Sequence, residues 1–338
     1  MTIGFGMLGS GYMSQIHAVA IKDDPSLMRL VAVAGGSRAG DFATQHGIAA
    51  EPSAEALLAR TDIDAVVIAT PHTTHRDLVV AAAQAGKHVV LEKPMGLSVA
   101  ECDEMIDACA EAGVHLSLAK VSRWLEAVKV GYDLIRSGAA GDLISIHVHR
   151  LFAGYPNTGW PLNPEEGGAW LDWGSHGCDI VRWYAGSEPT LATARAVSRR
   201  DDMKDLTVMA TFDFPGRALA HLWMSYEIPA AAAMERARYT FVGSEAVTDV
   251  NAYGGVDLIR GDTSEPVYRD ERFVGPGTTW DWQAPYFRRA FRDQVADLAE
   301  AIRDDRPVAI DGVEGRKAVE MALAARQSWE TDTAVRMG

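Results

Sequence analysis

Three residues that can hold or move a proton recur at short intervals in the stretch GGAWLDWGSHGCDIVRWY, which begins at Gly167. Asp172, His176 and Asp179 are four and three residues apart. At about 100° per residue, an α-helix carries all three within a stripe about 60° wide. A histidine titrates near neutral pH and suits a general base, and a neighbouring carboxylate can orient it. The spacing predicts a site that takes a proton from a hydroxyl group.

A lysine follows a predicted buried strand in the stretch AGKHVVLEKP. The strand His88–Leu91 must end at Glu92-Lys93-Pro94, because proline cannot continue a sheet ladder. Pro94 also favours an extended conformation at Lys93. An ammonium group fixed there can donate a hydrogen bond to an oxygen that develops negative charge. Three partners for Glu92 stay open: Lys93, a cofactor, or a second domain.

A glycine-rich turn joins the first predicted strand to the first predicted helix. It contains Gly9, Ser10 and Gly11 and is followed by Tyr12 and Met13. In a dinucleotide-binding unit such a turn lets the backbone approach the pyrophosphate at the helix N-terminus. We therefore expect these five residues in a cofactor site, with the small Ser14 at the third position of the motif.

The end of the second predicted strand lacks the acidic residue that often binds the adenosine ribose. Ala34 is followed by Gly35, Gly36, Ser37 and Arg38. Ser37 and Arg38 can bind a 2′-phosphate, which favours NADP over NAD. In the alternative interpretation, Arg38 is solvated and the cofactor is NAD.

More polar residues follow the third major strand, where the carboxyl ends of parallel strands meet. Thr70, Pro71, His72 and His75 are expected beside the cofactor, together with Glu92 and Lys93. A second possibility for His75 is that it only caps the next helix.

Composition limits the class of protein. The chain has 338 residues and a formal net charge of -14, which argues against nucleic acid as a partner. No apolar run approaches the roughly 20 residues of a membrane span, and no signal peptide is expected. Three cysteines without a CxxC pattern favour reduced thiols, and hence a cytoplasmic protein.

The order of predicted elements indicates two domains. Strands alternate with helices through residues 1–120, which predicts a Rossmann-like domain with a parallel sheet. Residues 121–338 carry longer alternating strands, such as 206–214 and 217–224, around the turn FDFPGR. This pattern predicts an α+β domain with a mainly antiparallel sheet, so the fold class is α/β with two domains.

Four stretches occur in a fixed order: GMLGSGYMSQIH, AVVIATPHTTH, AGKHVVLEKP and GGAWLDWGSHGCDIVRWY. With them the whole chain resembles the Gfo/Idh/MocA family, named for glucose-fructose oxidoreductase, inositol dehydrogenase and a rhizopine-catabolism protein. The resemblance implies an NAD(P)-dependent dehydrogenase or reductase acting on a sugar, cyclitol or related polyol. It also implies a homodimer or homotetramer built on the open sheet of the second domain.

The resemblance assigns roles to particular residues. Lys93 lies at the nicotinamide and contacts substrate, His176 is the acid/base, and Asp172 binds substrate or relays the proton. Arg123 falls where the family often contributes to the substrate pocket, and a surface position is the alternative. Tyr155 and Trp160, in the loop FAGYPNTGWPLNPEEGG, suit a sugar ring or anchor the loop.

Two other functions are compatible with these motifs. Some members of the family hold NAD tightly, oxidise the substrate transiently and cleave a glycosidic group without net redox change. A non-catalytic NAD(P)H-binding protein is a further alternative. A metal site on Asp172, His176 and Asp179 is disfavoured, because no second histidine or cysteine completes a tetrahedral set.

Overall fold

The computed structural model describes residues 1–153, 163–229, 237–270 and 281–338, and these form two compact units. The first unit contains Met1–Val121 and Trp282–Arg316, and the second contains Ser122–Asp281 and Lys317–Gly338. The sequence suggested one boundary after residue 120, whereas the chain returns to the first unit near its end.

Six parallel strands form the sheet of the first unit, in the order β3-β2-β1-β4-β5-β6. Their bounds are Ile3–Leu8 (β1), Met28–Ala34 (β2), Ala49–Glu51 (β3), Ala65–Ile68 (β4), His88–Leu91 (β5) and Leu116–Leu118 (β6). β1 and β4 are buried throughout, which explains their unbroken apolar sequences. This is the Rossmann-like parallel sheet predicted from the alternation of strands and helices.

Six helices accompany this sheet. They are Tyr12–Lys22 (α1), Ala39–His46 (α2), Ala54–Leu58 (α3), His75–Gln84 (α4), Val99–Ala112 (α5) and Pro285–Asp304 (α8). α8 packs against α1 through an apolar face that includes Phe287 and Phe291. This contact is the physical reason why the chain returns to the first unit.

The second unit contains a nine-stranded sheet in the order β14-β13-β12-β11-β7-β10-β9-β8-β15. The bounds are Leu143–Ala153 (β7), Leu191–Val197 (β8), Thr207–Phe214 (β9), Ala218–Ile228 (β10), Ala237–Gly243 (β11), Val247–Asn251 (β12), Gly255–Arg260 (β13), Thr263–Arg269 (β14) and Val335–Arg336 (β15). β7 and β10 pair in parallel, and the other pairs are antiparallel. The mainly antiparallel sheet that the sequence predicted is therefore present.

Helices cover one face of this second sheet. Glu126–Arg136 (α6) packs on β12 and β13, and Ser175–Ala185 (α7) packs on β7 and β10. The last long helix is Gly312–Thr331 (α9). Within the described ranges, no helix is both long and apolar enough to cross a membrane.

Candidate active site

The register of the parallel sheet brings four strand ends together. Leu8, the last residue of β1, lies opposite both Ala34 and Ile68, and Ile68 lies opposite Leu91. The segments after β1, β2, β4 and β5 therefore start at one edge of the sheet. These segments contain every residue that the sequence assigned to the cofactor.

The turn after β1 requires glycine. Gly9 has φ 106°, and a Cβ atom there would lie 2.4 Å from the carbonyl oxygen of Ala69. Gly11 precedes α1, and its N–H donates to Ser14 Oγ at 3.2 Å. Ser14 thus binds the turn itself, in addition to being small enough to pack there.

The same turn fits a dinucleotide phosphate. A Cβ atom on Gly11 would have one neighbour within 4 Å, Arg38 Nη2 at 3.9 Å, so a ligand has room beside the backbone. Gly11 has no side chain with which to cap α1, and the amides of a first helical turn attract anions. Ser10 is buried at the turn, whereas Tyr12 is exposed and Met13 is partly exposed.

The end of β2 is basic and exposed. Gly35 and Gly36 have φ values of 81° and 80°, and Ser37 and Arg38 after them are exposed to solvent. The nearest strand-end acid by register is Glu51, which lies opposite Ala34. Arg60 Nη1 binds the Glu51 carboxylate at 2.6 Å, so that carboxylate already has a cationic partner.

His75 connects the segment after β4 to the segment after β5. Its Nδ1 lies 3.0 Å from the Pro94 carbonyl oxygen, and its Nε2 lies 3.3 Å from that of Thr70. Burial, followed by the charge of His72, lowers the pKa of His75 to about 4, so the ring is neutral at pH 7. His75 is the first residue of α4, yet its ring nitrogens face these two carbonyl oxygens rather than capping the helix. The neutral ring carries one N–H and therefore donates to one of the two carbonyl groups.

Glu92 is buried at the end of β5. Its Oε1 lies 2.7 Å from His17 Nε2, and its Oε2 accepts the N–H of Lys93 at 3.1 Å. Burial opposes ionisation of Glu92, but the hydrogen bond and charge of His17 and the charge of Lys93 outweigh it and lower the pKa. The main partner is thus His17, which none of the three sequence possibilities included.

Lys93 lies directly after β5 and is partly exposed. The peptide bond from Lys93 to Pro94 is cis. Its ammonium group is close enough to Glu92 for their charges to interact. The lysine therefore sits at the strand-end edge where the sequence analysis expected it.

The helix that carries Asp172 and His176 begins irregularly. Residues Trp170–Gly174 form a π-helical turn, and α7 continues from Ser175. The spacing of Asp172 and His176 predicted a regular α-helix, whereas a π turn has i→i+5 hydrogen bonds and so changes the angle between side chains. π turns of this kind are frequent at functional sites.

Asp172 and His176 are both buried, with exposed fractions of 1% and 4%. The Trp173 ring lies 5.1 Å from the His176 ring and 4.6 Å from Phe152, centroid to centroid. His176 is therefore set beside aromatic side chains, as the flanking tryptophans in the sequence suggested.

Two further residues of this site were missed by sequence reasoning. Tyr226 on β10 is buried, and burial followed by the charge of Asp172 raises the pKa of its phenol. Arg150 on β7 is buried with its guanidinium carbon 5.1 Å from the Trp173 ring centroid, and it donates to Tyr239 Oη at 2.8 Å. Both residues lie on the sheet face that α7 covers, a relation that local sequence patterns do not contain.

Asp205 holds the start of the same helix. Its Oδ2 accepts the N–H of Trp170 at 2.9 Å. Burial raises the pKa of Asp205, although the Trp170 amide and the charge of Arg326 act in the opposite direction. Asp205 thus satisfies a first-turn amide from outside the helix.

Arg123 and Asp179 form a buried ion pair. Arg123 Nε and Nη2 donate to the two carboxylate oxygens of Asp179 at 2.9 and 2.7 Å, and the guanidinium lies over the Trp183 ring. The sequence left two possibilities for Arg123, the substrate pocket or a surface position. Its guanidinium is buried rather than on the surface, and Asp179 of α7 is its carboxylate partner.

Two other sequence expectations, Tyr155 and Trp160, lie outside the described residues.

Two family models match the chain. The model described as "Oxidoreductase family, NAD-binding Rossmann fold" matches residues 3–120, and the GFO/IDH/MocA C-terminal domain matches residues 132–248. Together they cover more than half of the sequence. The chain belongs to the Gfo/Idh/MocA oxidoreductase family. Its first unit is accordingly the NAD-binding Rossmann domain of that family.

Curated relatives in this Gfo/Idh/MocA family include proteins of more than one activity. The 2,7-anhydro-N-acetylneuraminate hydratase of Mediterraneibacter gnavus is 30% identical over 194 residues, which are 57% of this chain and 52% of that protein. Inositol 2-dehydrogenase of Rhizobium meliloti is 26% identical over 97% of both chains. The chain thus spans about half the length of the first of these relatives and nearly all of the second.

Solved structures of Gfo/Idh/MocA type share the whole fold. The aldose-aldose oxidoreductase of Caulobacter crescentus, complexed with glycerol, aligns over 100% of both chains with a TM-score of 0.84 at 24% sequence identity. A likeness at this identity establishes the two-unit architecture and leaves the substrate open.

Proposed function

We propose that this protein is an NAD(P)-dependent dehydrogenase or reductase that acts on a CH–OH group of a sugar, cyclitol or related polyol. The observation that carries the proposal is the buried pair Asp172 and His176 on one helix of the C-terminal unit. The Rossmann unit contributes Lys93 at the strand-end edge that also carries the phosphate turn. The full-length match to an inositol 2-dehydrogenase supports this substrate class.

Three residues have separate roles in the proposed oxidation of an alcohol. The nicotinamide, when bound, supplies the hydride acceptor. His176 takes the hydroxyl proton, since histidine is the side chain most often used as a general base. Lys93 donates a hydrogen bond to the same oxygen and favours its negative charge before the carbonyl forms. Asp172 orients the substrate hydroxyl, and in the reductive direction His176 returns the proton.

The cofactor proposed is NADP, held by the phosphate turn and by the basic end of β2. Arg38 is exposed beside Gly11, and the nearby Glu51 carboxylate is bound by Arg60. An exposed guanidinium beside the phosphate turn suits a 2′-phosphate. Fluorescence titration with NADPH and with NADH tests this preference, which equal affinities or tighter NADH binding would contradict.

The experiment that tests the proposed activity uses a panel of hexoses, inositols and anhydrosugars with either nicotinamide cofactor. Formation of reduced nicotinamide is followed by absorbance for the wild-type protein, Lys93→Ala and His176→Ala. Lys22→Ala and His147→Ala, which lie elsewhere in the same units, are the matched controls. We expect each active-site variant to lose about 100-fold or more in kcat and the controls to keep it. Near-wild-type turnover by both Lys93→Ala and His176→Ala would contradict the proposed function.

A second candidate function involves no net redox change. It is favoured by the 30% identity to a 2,7-anhydro-N-acetylneuraminate hydratase, because hydration leaves the oxidation state of the whole substrate unchanged. In that case product forms from an anhydrosugar while reduced nicotinamide does not accumulate. Steady accumulation with an alcohol substrate supports the dehydrogenase instead.

The proposed assembly is a homodimer or homotetramer that uses the face of the nine-stranded sheet that the helices of the described residues leave uncovered. Helices α6 and α7 pack on the opposite face. The side chains of Val197, Met209 and Leu219 are 62%, 50% and 48% exposed on adjacent strands β8, β9 and β10. Large apolar side chains exposed on one sheet face favour burial against a second copy related by a two-fold axis.

A further inference from the structure

The backbone around Lys93 is held on both sides by buried side chains. The Lys93 N–H donates to Glu92 Oε2 at 3.1 Å. The carbonyl oxygen of the next residue, Pro94, lies 3.0 Å from His75 Nδ1. A lysine side chain is long and flexible, so fixing its Cα narrows the positions that its ammonium group can reach.

Glu92 is in turn held by His17. The pKa of Glu92 is lowered, so the carboxylate is ionised at neutral pH and can only accept hydrogen bonds. His17 Nε2, 2.7 Å from Oε1, is therefore the donor. The His17 ring is fully buried and meets the edge of Phe291 at a centroid distance of 5.9 Å and an angle of 84°. One orientation of the ring is thus fixed by packing and by the carboxylate.

His17 also belongs to the helix that starts at the phosphate turn. It lies six residues after Gly11, within α1. A continuous set of contacts therefore runs from the phosphate turn through α1 to His17, Glu92 and the Lys93 amide. All of these residues are in the Rossmann unit.

We propose that His17 and Glu92 are positioning residues that fix Lys93 relative to the phosphate turn. The proposal rests on the proposed function, in which Lys93 orients the reacting oxygen. The hydrogen bond between His17 and Glu92 joins two parts of the unit. One is helix α1, which starts at the phosphate turn, and the other is the carboxylate that accepts the Lys93 N–H. Breaking that bond frees Glu92 and lets the Lys93 backbone move, while the phosphate turn stays intact.

Amide hydrogen exchange tests the structural half without any substrate. Exchange at the Lys93 amide is measured by mass spectrometry with residue-resolving fragmentation in wild-type protein, His17→Leu and His17→Gln. Leucine removes the donor, whereas the glutamine side-chain amide can replace Nε2. We expect exchange about tenfold or more faster in His17→Leu and near the wild-type rate in His17→Gln.

The matched control is His46→Leu. His46 Nε2 lies 2.7 Å from Gln15 Oε1, which is also on α1, but this bond has no link to Lys93. Unchanged protection of Lys93 in His17→Leu would overturn the proposal. Glu92→Ala gives a second test if the leucine variant does not fold, because alanine has no side-chain acceptor and the Lys93 amide must then exchange faster; an unchanged rate would overturn the proposal.

Kinetics test the functional half. With the alcohol of the panel that wild-type protein turns over fastest, His17→Leu should lose about 10- to 100-fold in kcat. Its affinity for NADPH should stay within about threefold of wild type, and His17→Gln should recover most of kcat. Suppose that the Lys93 amide exchanges faster in His17→Leu but that kcat and KM of this variant are unchanged. If Lys93→Ala is inactive, this result overturns the proposal. Full activity of Lys93→Ala instead refutes the proposed function, and the exchange result stands separately.

Discussion

At the scale of single residues, the candidate site depends on hydrogen bonds between distant parts of the chain. Glu92 binds His17, which lies 75 residues before it, and accepts the N–H of Lys93. Lys93, Asp172 and His176 could be selected from the sequence by residue type, spacing and family resemblance. His17 lies in the quoted motif GMLGSGYMSQIH, yet nothing in the motif indicates that its partner is 75 residues away. Such long-range hydrogen bonds depend on packing, which local patterns do not encode.

The neutral state of His75 gives a prediction about pH. Its pKa falls from 6.5 to about 4 in the folded protein, so the unfolded chain binds more protons between these values. Stability contributed by neutral His75 is complete above pH 6.5 and is lost as the pH falls toward 4. The loss approaches about 3 kcal/mol for this residue.

Urea unfolding at pH 7 and near pH 4 measures this effect. Between pH 7 and pH 4, we expect the free energy of unfolding to fall by roughly 3 kcal/mol less in His75→Gln than in wild type, because glutamine has no proton to gain. Gln84→Ala, an exposed change at the end of the same helix α4, alters no titratable group and should follow the wild-type curve. Equal acid sensitivity of His75→Gln and wild type would show that His75 is not buried as a neutral ring.

At the scale of elements, periodicity located most helices and strands but not their irregularities. The stretch around Asp172 and His176 has helical spacing, and the helix is present. The π turn at Trp170–Gly174 could not be foreseen, since it depends on contacts with other elements.

Asp205 allows the importance of the helix start to be measured. Asp205→Ala leaves the Trp170 amide without its acceptor and should lower the free energy of unfolding by about 1–2 kcal/mol. Asp205→Asn keeps an acceptor oxygen and should lose less. We also expect kcat to fall in Asp205→Ala, because the helix carries Asp172 and His176. The free energy of unfolding is measured with denaturant, and kcat is measured with the nicotinamide assay. If Asp205→Ala matched wild type in both quantities, Asp205 would not stabilise the helix start.

At the scale of the whole molecule, the fold class and both sheets followed from the order of strand and helix patterns. The return of residues 282–316 to the first unit did not. An amphipathic pattern shows that a helix has an apolar face, but it does not identify the partner of that face. Here the partner is α1, the helix of the phosphate turn.

The proposed assembly predicts a change in molecular mass. Met209→Asp places a charge on the uncovered sheet face, where burial against a second copy would be unfavourable. We expect wild-type protein to elute as a dimer or larger and Met209→Asp to shift toward the monomer in chromatography with light scattering. Asp213→Asn, a mild change at another outward-facing position of β9, serves as the control. A monomeric wild-type protein would contradict this assembly.

The transfer of deuterium from carbon to nicotinamide tests the central claim most directly. Myo-inositol and D-glucose deuterated at carbon are incubated with wild-type protein and NADP or NAD, and the reduced cofactor is examined by mass spectrometry. If the protein moves a hydride with the help of Lys93 and His176, the wild-type reaction yields deuterated cofactor. The doubly substituted Lys93→Ala, His176→Ala protein should yield at least about 100-fold less. Equal labelling by the two proteins would contradict the account.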